Sequence, residues 1–284
     1  MANPAPGVEK EGSAEKIVRA VTLLYHDAVL PGGLDESGFP GQGAGVYKLD
    51  VEDLERHFEQ VRRVAHERVS TIHETLAAPS RHRIPVLLTF DDGGVSAATY
   101  TADLLERLGW RGHFFVTGNL IDTPGFLSVQ QIRDLHSRGH IIGSHSWTHP
   151  SRMSSCSWET LVDEWTRSAG RLSDILGEKV EVASVPGGYY ARKVARAAAA
   201  SGIRILFTSE PVKRIGEVAG CKVLGRYSLL RGMRPEVSAA LSTAGPATQQ
   251  LGQYVMWNAK KAVKLVGGTH YLKLRDRILG RKTL

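Results

Sequence analysis

Cysteine is scarce in this sequence. Cys156 and Cys221 are its two cysteines, and neither belongs to a Cys-x-x-Cys pair. Small domains built on disulfides need several cysteines at close spacing, and cysteine-based zinc modules need paired ones. Both classes of protein are excluded, and we expect Cys156 and Cys221 to be structural thiols.

Long apolar runs are also missing. No stretch approaches the roughly 20 apolar residues that a membrane-spanning helix requires. The opening residues, MANPAPGVEKEGSAEK, lack the basic and then apolar order of a secretory signal, and residues 1–15 show no periodic apolar pattern. We therefore expect a cytoplasmic protein with a disordered lead-in over residues 1–15.

Acidic residues are nearly absent from one end of the chain. Between residues 260 and 284, eight Lys or Arg stand against one acid, Asp276, so this segment accounts for the whole net charge of +7. A nucleic-acid-binding protein is expected to spread its basic residues over a folded face. We therefore predict no nucleic-acid partner.

Residues 246–284 read as a basic amphipathic helical tail, with Tyr254 and Trp257 among its apolar residues. Such a helix either rests peripherally on an anionic membrane, at the inner face, or packs against the main domain. On a membrane, each nearby Lys or Arg contributes about 1 kcal/mol. Both alternatives stay open at this point.

The rest of the chain alternates between strand and helix patterns. Strands are predicted at IVRAVTLLY, PVLLTF, GHFFVTG, HIIGS, EVASV, RILFTS and KVLGRYSL, and helices at 50–76, 96–109, 128–139, 157–176, 191–201 and 235–243. Seven strands in such alternation favour an α/β fold, namely a distorted, incomplete (β/α)7 TIM-like barrel. We assign it to residues 16–245 as a single domain, and an open doubly wound sheet is the alternative.

In a barrel of this kind the chemistry lies at the carboxyl ends of the strands. The unusual residues of this sequence lie at those positions: His26, Asp27, Asp91, Asp92, His145, His149, Pro186, Gly187, Gly188, Ser209 and Glu210. Each motif alone is weak, because His-x-x-x-His pairs are mostly solvated helix faces and Asp-Asp or Pro-Gly-Gly are mostly caps and turns. Their predicted placement on one rim makes a shared site the better interpretation.

His145 and His149 are four residues apart, a spacing that puts two imidazoles on one side of a helical turn. Zinc binds imidazole nitrogen and carboxylate oxygen, and a catalytic zinc keeps an open position for water. Two histidines and one aspartate would therefore supply three ligands. We predict a divalent metal cofactor, with zinc preferred.

The order of TFDDG, HSWTHP and PGG resembles the polysaccharide deacetylase family, the nodulation-type chitooligosaccharide deacetylases of carbohydrate esterase family four. The resemblance extends over residues 18–230 and includes the early LLYHD strand. It implies a distorted barrel and the metal-assisted hydrolysis of an N-acetyl group from an amino sugar. An N-acetylated glycan is thus the implied substrate, and a tail that rests on the membrane would suit a lipid-linked glycan precursor.

Carried over by position, the resemblance makes Asp91 the general base and Asp92, His145 and His149 the metal ligands. Substrate contacts fall to Pro186, Gly187, Gly188 and Tyr189, where a backbone N–H is expected to stabilise an oxyanion.

Two positions depart from the family pattern. Ser184 stands where an arginine commonly braces the base, so the brace is missing or comes from elsewhere, and Arg226 stands where a histidine commonly acts as acid. We assign the acid role to His26, with a pocket-shaping histidine as its alternative. Glu210 is the other candidate acid, or else it holds a sugar hydroxyl or Arg226.

These departures keep two further functions open. One is a catalytically weak relative that binds metal and glycan, and the other is a metal-dependent amidase for a non-sugar amide.

The long glycine-rich segment from Val29 to Lys48 leaves the first strand beside His26. It is either a cover or sugar contact that uses Asp35, Phe39 or Tyr47, or a flexible surface insertion.

Overall fold

The computed structural model describes residues 19–79, 83–243 and 248–259. The predicted lead-in and the basic stretch from residue 260 onward, with its predicted membrane contact, lie outside the described residues. The strands are β1 (Val21–Tyr25), β2 (Ala28–Val29), β3 (Leu49–Asp50), β4 (Val86–Phe90), β5 (His113–Val116), β6 (Ile141–Ser144), β7 (Val182–Ser184), β8 (Ile205–Phe207), β9 (Gly216–Val218), β10 (Cys221–Leu224) and β11 (Tyr227–Ser228).

The α-helices are α1 (Gln42–Gly45), α2 (Val51–Ala65), α3 (Ile72–Ala77), α4 (Ala102–Arg107), α5 (Val129–Ser137), α6 (Trp158–Leu176), α7 (Arg192–Ala200) and α8 (Glu236–Ser242), followed by a helix over 248–259. Shorter 3-10 turns cover His66–Arg68, Gly118–Leu120, Met153–Ser155 and Pro186–Gly188, and a π-helical turn covers Ala97–Thr101. Within the described part of the chain, no helix is both long and apolar enough to cross a membrane.

One nine-stranded sheet carries the fold, in the order β11-β1-β4-β5-β6-β7-β8-β10-β9. Every neighbouring pair is parallel except β10 with β9. β10 and β11 lie near opposite edges of this sheet, yet Gly225 and Arg226 alone separate them in the chain. The sheet must therefore curl until its edges approach each other, which confirms the predicted distorted barrel.

The prediction of one strand over KVLGRYSL is wrong, because the chain changes edge in the middle of that segment. A Cβ on Gly225 would lie 2.1 Å from the backbone oxygen of Glu210, so the chain passes Glu210 too closely for any side chain. The backbone N–H of Arg226 donates to the same oxygen at 2.9 Å. This contact takes Arg226 out of the strand ladder and turns the chain toward β1.

The single helix predicted over 50–76 is also wrong. Beyond Ala65 the chain forms a bridge between Val69 and Val86, which uses backbone groups that a continuous helix would need. Thr71 then starts α3 with a capping box in which its hydroxyl accepts from the Glu74 N–H. The capping box predicted at Ser128 and Gln131 is confirmed at the start of α5.

β1 and β4 are buried along their whole length, as expected for a parallel sheet covered on both faces. Their aromatic rings pack in a row, with Tyr25 stacked on Phe90 at 5.6 Å between ring centroids and Phe90 stacked on Phe114 at 5.1 Å. This core fixes the ends of β1, β4 and β5, from which the loops of the candidate site leave.

The described part of the predicted tail packs on the barrel. Gln253, in the 248–259 helix, accepts a hydrogen bond from the Ser228 N–H at 3.1 Å and donates to the Ser228 oxygen at 2.9 Å. Gln250 donates to the oxygen of Leu241 at 2.6 Å. The helix thus covers β11, the edge strand of the sheet.

Two buried histidines are held in their neutral form. His113 donates from Nδ1 to the Leu88 oxygen and accepts from the Ile72 N–H at Nε2, both at 2.9 Å. His140 accepts from the Gly112 N–H and lies 2.9 Å from Glu106. Burial lowers the pKa of each to about 4.

Stability should therefore fall as the pH drops below about 6.5, the usual pKa of an unfolded histidine, because the unfolded chain then binds protons that the folded chain refuses. The expected loss reaches about 3 kcal/mol per histidine near pH 4. Urea unfolding of the native protein at pH 7.5 and pH 5 measures the part of this loss that falls between those two pH values. His113→Asn keeps a donor for Leu88 and should reduce the difference between the two pH values by about 2 kcal/mol. An unreduced difference would contradict this assignment.

Candidate active site

The predicted rim residues meet at one end of the barrel. Asp91 and Asp92 directly follow β4, and His145 directly follows β6. Because the two strands are parallel and separated by β5 alone, their carboxyl ends face the same side. The sequence prediction that these side chains converge is thus confirmed in space, while their catalytic roles stay predictions.

Asp92, His145 and His149 form a potential metal site. Oδ1 of Asp92 lies 3.4 Å from Nε2 of His145 and 3.4 Å from Nε2 of His149, and one ligand atom from each residue lies within 4.8 Å of the others. Two donors about 2.1 Å from one zinc ion in tetrahedral geometry are themselves about 3.4 Å apart. Both the chemistry and the spacing of the donors therefore fit a divalent cation such as zinc.

The backbone at this site is strained. Asp92, Ser146 and His149 have φ values of 76°, 66° and 55°, in the left-handed region where a residue with a Cβ costs of order 1–2 kcal/mol. In Asp92 this conformation ends the strand alternation, so Asp91 and Asp92 both face His145. Two of the three potential ligands thus sit in conformations that the surrounding structure has to enforce.

The helical turn predicted for His145 and His149 is wrong. Residues 145–150 form an irregular loop after β6, and left-handed Ser146 and His149 bring the two rings to 5.1 Å between centroids. The hydroxyl of Ser146 accepts from the His149 N–H at 3.1 Å. The four-residue spacing therefore works through a tight turn and not through helical periodicity.

A buried carboxylate on α6 holds this loop. Glu164 accepts from the N–H groups of Trp147 and Thr148 at 2.8 Å each, and from the Thr148 hydroxyl at 2.5 Å. The Arg167 guanidinium lies 4.5 Å from the Trp147 ring. Glu164 was not predicted, because an acid in an amphipathic helix has no local feature that separates it from a solvated one.

Ser184 connects Asp91, the predicted general base, with His145, one of the potential metal ligands. The Ser184 hydroxyl donates a hydrogen bond to Oδ1 of Asp91 at 3.0 Å, and its Oγ lies 2.5 Å from Nδ1 of His145. A hydroxyl has one hydrogen, so His145 must donate its Nδ1–H to Ser184. Nε2 of His145, which is turned toward Asp92, is then the nitrogen left for a metal ion.

Arg226 braces Asp91 from the seam between β10 and β11. Its guanidinium donates to both carboxylate oxygens of Asp91 at 2.7 Å, and its Nε–H donates to the Thr208 oxygen at 3.0 Å. The side chain is fully buried. The brace that the family pattern would place at residue 184 therefore comes from Arg226, the residue at which the pattern would place a histidine.

Opposing effects set the charge of the two acids. Burial raises the pKa of Asp91, but the charges of Arg226 and His145 outweigh it, and the net pKa lies below the ordinary value. Burial likewise raises the pKa of Asp92, and hydrogen bonds from His145 and His149 bring it well below the ordinary value. Both carboxylates are therefore ionised at neutral pH.

His26 lies on the β1 side of the site. Its ring is 4.7 Å from the Tyr47 ring, and within the described chain its buried Nδ1 has no hydrogen-bond partner. Burial lowers the pKa of His26, and the nearby charges of Asp92 and Asp91 only partly oppose this effect. His26 is therefore neutral at rest.

The Pro186–Gly188 turn borders the site beyond β7. Gly187 and Gly188 have φ values of 67° and 68°. A Cβ on Gly187 would lie 2.7 Å from the Ser151 oxygen, and one on Gly188 would lie 3.3 Å from the Trp257 ring, so both glycines allow close packing within the protein. Tyr189 is nearly buried, with the Arg152 guanidinium 5.0 Å from its ring.

The backbone of Glu210 contacts the site, because its carbonyl oxygen accepts a hydrogen bond from the Arg226 N–H at 2.9 Å. The charge of its carboxylate contributes to the raised pKa of Tyr190, for which burial is the larger cause. Its predicted role as acid or sugar contact remains a prediction.

Comparison with known proteins identifies relatives of this arrangement. Residues 79–206 match the family model named polysaccharide deacetylase. The chain is 43% identical over 67 residues to the peptidoglycan-N-acetylglucosamine deacetylase PgdA of Listeria monocytogenes, and 35% identical over 66 residues to a chitin deacetylase of Colletotrichum lindemuthianum. Each alignment covers 23% of this chain, but only 13% and 27% of those relatives' own lengths.

A solved structure gives broader coverage at lower identity. The Streptococcus pyogenes deacetylase PplD, solved in complex with acetate, superposes with a TM-score of 0.65 at 19% identity, over 81% of this chain and 100% of that one. This likeness extends the shared barrel well beyond the aligned sequence segments. Residues 79–206 therefore match the polysaccharide deacetylase family, and the wider chain shares the fold of PplD.

Proposed function

We propose that this protein is a metal-dependent hydrolase that removes N-acetyl groups from an amino sugar within a glycan. One observation carries the proposal: Asp91, an ionised carboxylate that the metal site does not need, has its Oδ2 3.9 Å from Nε2 of His145. A second carboxylate beside a metal site is what a hydrolase needs as a base. The named activities of the Listeria and Colletotrichum relatives support the choice of an N-acetylated glycan.

Asp92, His145 and His149 would hold a divalent cation, which would supply the Lewis acidity that lowers the pKa of water and polarises an amide carbonyl. Asp91 is placed to take the proton from the attacking water. Among the described residues, Oδ1 of Asp91 accepts from Arg226 and Ser184, while Oδ2 accepts from Arg226 alone. Oδ2 therefore keeps acceptor capacity on the side of His145.

Hydrolysis breaks the bond between the acetyl carbon and the sugar nitrogen, so the departing amine must gain a proton. We assign its delivery to His26, whose ring lies beside both acids. Because His26 is neutral at rest, it has to collect that proton during the cycle. The proton that Asp91 removes from water is the available source.

The test is acetate release from N-acetylglucosamine oligomers, together with metal analysis of the same preparation. Native protein should release acetate, lose the activity after chelation, and regain it with zinc. His26→Gln should lower release at least tenfold with the metal retained. Near-native release by His26→Gln would exclude His26 from the proton step. Bound metal without release from any oligomer would favour a metal- and glycan-binding relative or an amidase for another amide.

A further inference from the structure

The segment between β2 and β3 is closed at its base. Ala28 pairs with Leu49 and Val29 pairs with Asp50, so residues 30–48 leave and re-enter the barrel at neighbouring points. This is the geometry of a compact Ω-loop, whose own side chains fill its interior. We call residues 30–48 the rim loop.

Buried polar groups fasten the rim loop to the barrel. Lys48, which is 1% exposed, donates from Nζ to the oxygens of Leu34 and Ser37 at 2.7 and 2.6 Å. Asp27, at the end of β1, accepts from the hydroxyls of Ser37 and Ser96 at 2.6 and 2.8 Å. Because these bonds are buried and partly charged, the loop is a fixed wall beside the site.

Asp35, one of the three predicted sugar contacts, is used inside the rim loop. Its Oδ1 accepts from the Gly41 N–H at 2.7 Å. The Lys48 side chain, at the base of the loop, is likewise occupied within the loop, because it donates to the oxygens of Leu34 and Ser37. The other two predicted sugar contacts of the loop, Phe39 and Tyr47, are aromatic.

Two aromatic rings of this loop face catalytic histidines. Phe39 lies 4.8 Å from the His149 ring and 5.3 Å from Phe126, and it is less exposed than Tyr47. Tyr47 lies 4.7 Å from the His26 ring and is 37% exposed. Tyr47 is thus the ring that combines contact with the site and an open surface.

We propose that Tyr47 is a stacking platform for a sugar ring next to the one that is deacetylated. His26 neighbours the acids, whose charges act on it, and its ring also contacts Tyr47, so Tyr47 adjoins the site through His26. A ring on Tyr47 is therefore displaced from the reacting acetyl group. The apolar C–H faces of a pyranose suit an aromatic surface held in one orientation.

If Tyr47 binds a second sugar ring, the preferred substrate contains at least two linked sugars. A free monosaccharide would fill the metal side of the site and leave Tyr47 without a ligand. This inference rests on the proposed function for its ligand class, but the platform can be measured by binding as well as by turnover.

The test uses chitotetraose and N-acetylglucosamine as probes. Tyr47→Ala should weaken chitotetraose binding in calorimetry about tenfold and raise KM for the tetramer similarly, with kcat changed less. Neither quantity should change for the monosaccharide. Tyr47→Trp, which restores an aromatic face, should recover most of the loss.

Val46→Ala is the matched control, because Val46 is the neighbouring residue and is equally exposed at 37%. It should leave binding and KM unchanged. Acetate release with the same Kd and KM in Tyr47→Ala would overturn the platform while the proposed function stands. Tetramer binding that depends on Tyr47 without acetate release would support the platform and overturn the proposed function. Absence of tetramer binding by the native protein would overturn the platform.

Discussion

Asp91→Asn should lower kcat for acetate release by about 10³-fold and leave the metal content unchanged. The amide keeps the shape of the side chain but cannot take the proton from water, and general bases contribute about 10²–10⁴-fold. Asp91 is not among the three donors of the metal site, so those donors stay in place. Steady-state acetate release and metal analysis of the same preparation measure the two quantities.

Asp92→Asn is the matched control, since it makes the same change one residue further along the chain. Oδ1 of Asp92 lies 3.4 Å from both ligand nitrogens, so this variant should lose metal as well as activity. The two neighbouring acids would then be separated by their metal content. Metal loss in Asp91→Asn, or retention of more than a tenth of its kcat, would show that Asp91 is not the base.

Arg226→Met should lower the free energy of unfolding by about 3–5 kcal/mol, because it leaves the Asp91 carboxylate buried without its counter-charge. It should also raise the pKa of Asp91, whose low value depends on the charge of Arg226. The base then becomes protonated at a higher pH. The acidic limb of the pH profile of kcat should accordingly move toward higher pH. A purely structural role of Arg226 would change the urea unfolding curve but not the position of this limb.

Two further variants keep this prediction testable when Arg226→Met folds poorly. Arg226→Lys retains the charge but not the two-pronged contact, so it should be more stable than Arg226→Met and still less active than the native protein. The double variant Asp91→Asn, Arg226→Met removes the buried charge and should be less destabilised than the sum of the single changes. Additive destabilisation together with an unmoved acidic limb would contradict the brace.

The metal donors were predictable from sequence because short segments carry them. Asp92 ends an apolar strand, and His145 and His149 follow another, so the rule that parallel strands present their carboxyl ends together was enough to group them. The local backbone was not predictable in the same way. The helical turn assumed for the histidine pair overlooked a left-handed conformation at Ser146 and His149, which a four-residue spacing does not encode.

The groups that hold the donors were beyond sequence reasoning for a different reason. Ser184 contacts Asp91 across 93 residues and Arg226 contacts it across 135. No periodicity links positions so far apart, and a single Arg in a strand pattern reads as an ordinary surface residue. What could be recognised was a gap in the family pattern at residue 184. That Arg226 replaces the missing brace depends on how the sheet curls, which the sequence does not show.

The junction of Gly225 and Arg226 makes the order of assembly relevant to activity. Asp91, Asp92, His145 and His149 lie within 59 consecutive positions of the chain, so folding of the chain up to residue 149 can bring the potential metal donors together. Arg226 can contact Asp91 only after the chain has crossed from one edge of the sheet to the other. A molecule that failed at this last crossing would still capture an ion yet lack an aligned base. If the proposed function holds, metal loading and catalytic competence would be separate stages in the maturation of this protein.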